Sequence, residues 1–237
     1  MFAAHLGGVI RDPFFSSVSL LLHCNGANGS TTFVDSSLYA HAMTARNTAA
    51  VTTSSPIMGS GSALMTAVND TIITPAHSSL SFGSGDFTLE ILYKSAAHSR
   101  PYPVVICNGN FGYNKWQICD RHSSLYPTKF TFNVFNCSPS SPLLVSSTTV
   151  NDDTVYALAV CRTSNTFRFF VNGALEDTQT FTGSLDTGSG DVVYIGADAT
   201  QTGLTTINGR EDEVRLTKGV GRYVSNFMVP TGEFTNG

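Results

Sequence analysis

The sequence predicts an all-β fold in which two antiparallel sheets pack face to face. Three observations carry that prediction. Apolar and polar residues alternate over short segments, clusters of Gly, Asn, Asp, Ser and Pro separate those segments, and no stretch of helical period is long enough to compete. The 237 residues are 41% hydrophobic and 13% charged, enough apolar material for one sizeable core and too much for a disordered chain.

The elements follow in chain order. Residues 1–17 lack a sustained period and contain Arg11-Asp12-Pro13, where proline opposes regular structure in the residue before it. They read as an arm. Its Phe2, Leu6, Ile10, Phe14 and Phe15 would be costly in open water, so docking on a neighbouring subunit or on the sandwich itself is expected. A single sandwich domain is expected over residues 18–237, because no repeat is visible and the linker-like stretches are short.

In Phe87–Lys94, Phe87, Leu89, Ile91 and Tyr93 share one face, with Thr88, Glu90 and Lys94 on the other. That is the pattern of a strand with one face in the core. Lys129–Phe135 repeats it with Phe130, Phe132 and Val134, and Thr166–Val171 with Phe167, Phe169 and Val171. The last of these runs into Asn172-Gly173, which supplies the two positive φ angles of a type I′ turn, so Ala174–Phe181 is expected to return beside it.

Charge and cysteine content exclude several functions. The net charge is −4 and no Lys/Arg cluster is present to follow a phosphate backbone, so nucleic acid is not an expected partner. The apolar runs are too short to cross a bilayer, and no targeting segment is read at the start of the chain. Five cysteines without CxxC spacing indicate buried thiols, neither a disulfide framework nor a zinc centre, which suits synthesis in a reducing cytoplasm.

Three segments carry a family resemblance: SVSLLLHCNGANGSTTFVDSS (residues 17–37), YALAVCRTSNTFRFFVNGALE (156–176) and INGREDEVRLTKGVGRYVSNFMVP (207–230). Their order and spacing resemble the laminin-G-like, concanavalin-A-like domains found in bacteriophage tail and virion proteins. LSFGSGDFTLEILYK and DVVYIGA extend the resemblance over nearly everything after the arm. The resemblance implies a jelly-roll sandwich and, for function, a non-catalytic virion component such as a capsid decoration, fibre or tail accessory. Its partners would be other virion proteins in a homo-oligomeric or symmetric assembly. A receptor-binding lectin for host surface glycans is the alternative. The sequence departs from the family pattern at Asn25, where an aspartate is frequent, and at Arg210 and Glu211, where an apolar pair is frequent.

Chemistry is sparse. Glu211-Asp212-Glu213 offers a hydrolase at most the pair Glu211 and Glu213, because consecutive strand residues face opposite ways and Asp212 would point away. No metal is assigned. Ca²⁺ would need oxygens from Asn25, Asp35 and Asp212, side chains that serve equally well to bond turn amides. His23, at the end of a core strand, reads as a hydrogen-bonded, partly buried histidine. A sugar site would need aromatic faces beside polar groups, and Tyr102, Tyr113, Trp116 and Tyr126 between Arg100 and Tyr126 are the candidates. Trp116 also alternates with Ile118 as a core residue would.

Overall fold

The computed structural model describes residues 11–97, 100–110, 113–122, 125–135, 143–185, 191–199 and 204–237, the side chains of 110, 113 and 114 set aside. The strands are β1 (Val18–Leu22), β2 (Thr44–Arg46), β3 (Ala50–Thr52), β4 (Ser62–Met65), β5 (Thr71–Ile73), β6 (Phe87–Ser95), β7 (Val104–Asn110) and β8 (Tyr113–Asp120). They continue with β9 (Phe130–Val134), β10 (Leu144–Val145), β11 (Val155–Thr163), β12 (Thr166–Val171), β13 (Ala174–Thr180), β14 (Val192–Ile195) and β15 (Gly209–Lys218). Two short 3₁₀ turns, at Phe15–Ser17 and Ser78–Leu80, are the helical pieces among the described residues.

The strands form two antiparallel sheets. The first runs β13-β12-β11-β6-β15-β4-β3, and β1 also pairs with β15; the second runs β10-β9-β8-β7-β14-β5-β2. Long β15 lies against β6 on one side, while β4 and β1 share its other side, opposite residues 209–211 and 214–217. The predicted hairpin is β12–β13, with φ of 51° at Asn172 and 77° at Gly173.

The predicted inward rows meet between the sheets. Phe87, Leu89, Ile91 and Tyr93, Phe130, Phe132 and Val134, and Phe167, Phe169 and Val171 all belong to one buried cluster. Aromatic contacts cross it from Phe167 through Phe87 to Phe82, and on to Trp116 and Phe132. Each such side chain contributes about 1.5–3 kcal/mol through removal from water.

The other face of the first sheet departs from expectation. Thr88 and Glu90 are buried, not solvated, because the segment after β15 crosses this face. Tyr223 and Phe227 stack on each other and meet the edge of Phe170, the one apolar residue of β12 that points away from the core. Phe227 N–H donates to the Gly173 carbonyl at 2.9 Å, and a Cβ at Gly173 would fall 2.1 Å from the Phe227 oxygen. Glycine is therefore fixed there twice, by its φ and by the crossing tail.

The chain before β1 is tied to the same face. Asp12 accepts two hydrogen bonds from Arg222 and one from Arg215, whose guanidinium also makes a two-point contact with Glu90 at 2.7 and 2.8 Å. Phe14, 41% exposed, lies with the Arg222 guanidinium 5.3 Å from its ring centre, and Phe15 is half-buried. The docking candidates Phe2, Leu6 and Ile10 lie outside the described residues.

Candidate functional site

Three connections meet at one end of the sandwich: β6–β7, β8–β9 and β14–β15. Val104 N–H donates to the Thr205 carbonyl at 2.7 Å and Tyr102 N–H to that of Leu204 at 3.3 Å, so the first connection runs along the third. Arg100 locks them together, donating to the carbonyls of Thr206, Ile207 and Thr66. Beneath the second connection, Arg121 pairs with fully buried Asp120 and with Asp152, and donates to Ser95 Oγ. Tyr93 Oη donates to the same Asp120 carboxylate at 2.8 Å. A satisfied buried ion network of this kind holds its loops in one geometry.

On that base sit Tyr102, 41% exposed, and His122, with ring centres 5.7 Å apart and planes tilted by 55°. Half-buried Tyr126 follows on the His122 connection beside exposed Leu125, and Leu204, whose carbonyl accepts from Tyr102 N–H, is exposed too. Burial pulls the His122 imidazole below its ordinary value, so it stands neutral at pH 7 with one nitrogen able to donate and the other to accept. An aromatic face next to a neutral imidazole can stack on an apolar ring face while exchanging hydrogen bonds with hydroxyls.

The four aromatic candidates thus separate. Tyr102 and Tyr126 reach this end. Trp116 is 1% exposed and stacks on Phe82 in the core, so it is a packing residue and presents no ring to a ligand. Tyr113 begins β8, at the opposite end of that strand from Asp120, about 23 Å away at the usual rise per residue. Its side chain lies outside the described residues. His122 was missed in the sequence, where a lone histidine beside Arg121 carries no motif; it follows the turn residue Arg121, at φ 51°, and meets the Tyr102 ring.

The acidic run on β15 also differs from its sequence reading. Glu211 stands opposite Ala63 and Tyr93, both core residues, and its buried carboxyl oxygens have no hydrogen-bond partner. Burial pushes its pKa well up. The register then shifts between Asp212 and Arg215, with Glu213 at φ 46°, and this bulge turns both Asp212 and Glu213 to the outer face. Asp212 accepts from Met58 N, Ser62 Oγ and Glu213 N at 3.0, 2.7 and 2.9 Å. Glu213 meets His23 Nδ1 at 2.8 Å and accepts from Phe234 N at 2.7 Å. Glu211 and Glu213 therefore do not converge, contrary to simple alternation.

The calcium candidates are each occupied separately. Asp35 accepts from Leu21 N, Ser37 N, Ser37 Oγ and His41 N at 2.8–2.9 Å, and Asn25 Oδ1 from Ser60 N and Oγ at 2.8 Å. They brace turns, as does Asp212. His23 is held between Glu213 and Asn236, as the sequence suggested.

No curated protein matches the chain. Among solved structures, the botulinum neurotoxin serotype D binding domain superposes with a TM-score of 0.62 at 12% identity, over 87% of this chain and 49% of its own. The binding domain of Paraclostridial Mosquitocidal Protein 1 gives 0.62 at 12% identity, over 86% and 49%. The Trypanosoma rangeli sialidase in complex with sialic acid gives 0.59 at 12%, over 85% and 31%. The chain spans about half the length of the two toxin domains and less of the sialidase, and the likeness is one of fold. Residues 66–220, about two thirds of the sequence, match the family model described as the concanavalin A-like lectin/glucanases superfamily, Laminin_G_3, and the chain belongs to that family.

Proposed function

We propose that the protein is a non-catalytic carbohydrate-recognition module that contacts a glycan with Tyr102, His122 and Tyr126. The observation that carries this reading is the pairing of exposed Tyr102 with half-buried His122, set on the Arg121–Asp120–Asp152 network and clamped by Arg100. Toxin binding domains and a sialidase of the same fold agree with a sugar-recognition role. Absence of catalysis is supported by Glu211 and Glu213 facing opposite sides of the sheet. The test is a glycan array with the purified chain, repeated with Tyr102→Ala and His122→Ala. Binding to a bacterial or host glycan that both substitutions abolish is expected; silence across the array, or binding indifferent to both, would sink the proposal.

Attachment to a bacteriophage particle is a second reading, supported by the three phage-like segments and by exposed Phe14 at the base of the arm. In it the arm residues dock on other virion proteins, and the sandwich is displayed outward in a symmetric assembly. Deleting residues 1–10 and replacing Phe14 and Phe15 by serine should release the protein from purified particles. Unchanged attachment would remove the docking role.

A further inference from the structure

Where the C-terminal tail crosses the first sheet, three segments distant in sequence bring an imidazole and two carboxylates together. His23 follows β1, Glu213 is the bulged residue of β15, and Glu233 belongs to the tail; one donor atom from each lies within 4.8 Å of the others. Glu213 is buried, the His23 side chain is 13% exposed, and Glu233 lies at the surface. Asn236 Oδ1, 3.0 Å from His23 Nε2, lies at the other ring nitrogen from Glu213 and fixes the orientation of the imidazole.

Two further features set this cluster apart from an ordinary surface group of acids. Gly59, at φ 59°, borders it, and a Cβ there would fall 2.1 Å from Glu233 Oε1 and 2.8 Å from Asn25 Oδ1. The Glu233 carboxylate packs directly on this glycine, and any side chain there would displace it from the cluster. Glu233 Oε1 accepts from the Asn25 amide and Glu213 Oε2 from Phe234 N–H, both neutral donors, and among the described residues no lysine or arginine pairs with either, so two carboxylates, one of them buried, share a single imidazole. Close carboxylates in a low dielectric favour a shared cation.

We infer that His23, Glu213 and Glu233 form a site for a divalent transition-metal ion of the Zn²⁺ kind, which clasps the tail to the sheet. One nitrogen and two carboxylate oxygens suit Zn²⁺, which accepts such mixed donors at about 2.0–2.2 Å in tetrahedral geometry, with water in fourth place. Ca²⁺ and Mg²⁺ take oxygen ligands and gain little from an imidazole. Asp35 and Asp212 contribute no ligand, their oxygens being engaged with other donors, whereas Asn25 borders the site and donates to Glu233.

The test uses the full chain stripped with EDTA, then titrated with Zn²⁺, Mn²⁺, Ca²⁺ or Mg²⁺, with melting temperature and calorimetric stoichiometry as readouts. Zn²⁺ at a hundredfold excess over Kd should raise Tm by about 5–10 °C with one ion per chain. Glu233→Gln, at the surface and compatible with folding, should weaken Zn²⁺ binding more than tenfold, as should His23→Gln. Gly59→Ala should weaken it without removing a donor. Amide exchange in residues 231–237 should slow on adding Zn²⁺ to the native chain and stay unchanged in Glu233→Gln. No calorimetric heat with Zn²⁺, binding undiminished in Glu233→Gln, or an equal shift with Ca²⁺ would each overturn the assignment.

Discussion

Two arginine-centred networks lie under aromatic rings in this molecule, and their coverings differ. Under the tail, Arg215 joins Glu90 and Asp12, and the rings above are used up by the chain itself: Phe234 lies 3.7 Å from the Arg215 guanidinium and Tyr223 donates to Glu90 at 2.7 Å. Under the loop end, Arg121 joins Asp120 and Asp152, yet Tyr102 keeps 41% of its surface in solvent. Aromatic abundance thus says little about recognition. An aromatic ring left uncovered on a rigid base is the informative feature.

The most disruptive way to probe this contrast is Arg215→Ala. It removes the two-point partner of buried Glu90 and leaves Asp12 to Arg222 alone, which costs about 3 kcal/mol. Urea unfolding should show that loss, while glycan binding by the fraction still folded stays unchanged, because Arg215 pairs with Glu90 and Asp12 under the tail. Loss of binding in the folded fraction would mean that the two regions are coupled.

Glu211 sharpens the comparison from the opposite side. It is buried on the strand that carries Arg215, but faces the core with both oxygens unpaired. Glu211→Met fills similar volume without a polar group to desolvate and should stabilise by about 1–3 kcal/mol. Destabilisation in the urea midpoint would reveal a partner for the carboxyl.

How much of this was legible in the sequence depended on the spacing of the signal. Phe87/Leu89/Ile91, Phe130/Phe132/Val134 and Phe167/Phe169/Val171 are visible because period two is a local property. Asn172-Gly173 is visible because few residues accept two positive φ angles in succession. Phe170 broke the alternation and so hinted at a cover, but the cover is Tyr223 and Phe227, more than 50 residues later, and no local rule pairs them. The bulge at Glu213 was hidden, since three acids in a row read alike with or without a register shift. Trp116 was legible as core by its alternation with Ile118, and the sugar-binding reading of it failed for that reason. His122 required the turn at Arg121 and the approach of a connection some 20 residues away, both long-range facts.

A smaller effect is expected at Asp12, which ties the segment before β1 to the tail. Burial alone would raise its carboxyl, but hydrogen bonds from Arg222 and Phe14 N–H and the charges of both arginines outweigh it and hold the group below its ordinary 3.8. A depressed carboxylate stabilises above the unfolded value and loses that contribution as pH falls through the folded one. Asp12→Asn should therefore cost about 1–2 kcal/mol at pH 7. The gap between mutant and native chain in thermal melts should close below pH 3.8. A gap constant down to pH 2 would show that Asp12 acts through packing.

The smallest stability change belongs to the loop end, and there it discriminates best. Tyr102 is exposed and its ring meets the tilted ring of half-buried His122, so Tyr102→Ala should move stability by no more than about 0.5 kcal/mol. Loss of a stacking face should nonetheless weaken glycan binding by about 1–1.5 kcal/mol, roughly tenfold. Because burial holds the His122 pKa below 6.5, native binding should be flat above that pH and decline as the imidazole charges beneath it. His122→Gln keeps a donor and an acceptor without the charge change, so its binding should be independent of pH over the same range. A native decline that persists in His122→Gln would place the titrating group elsewhere and would return the loop end to the status of an ordinary exposed surface.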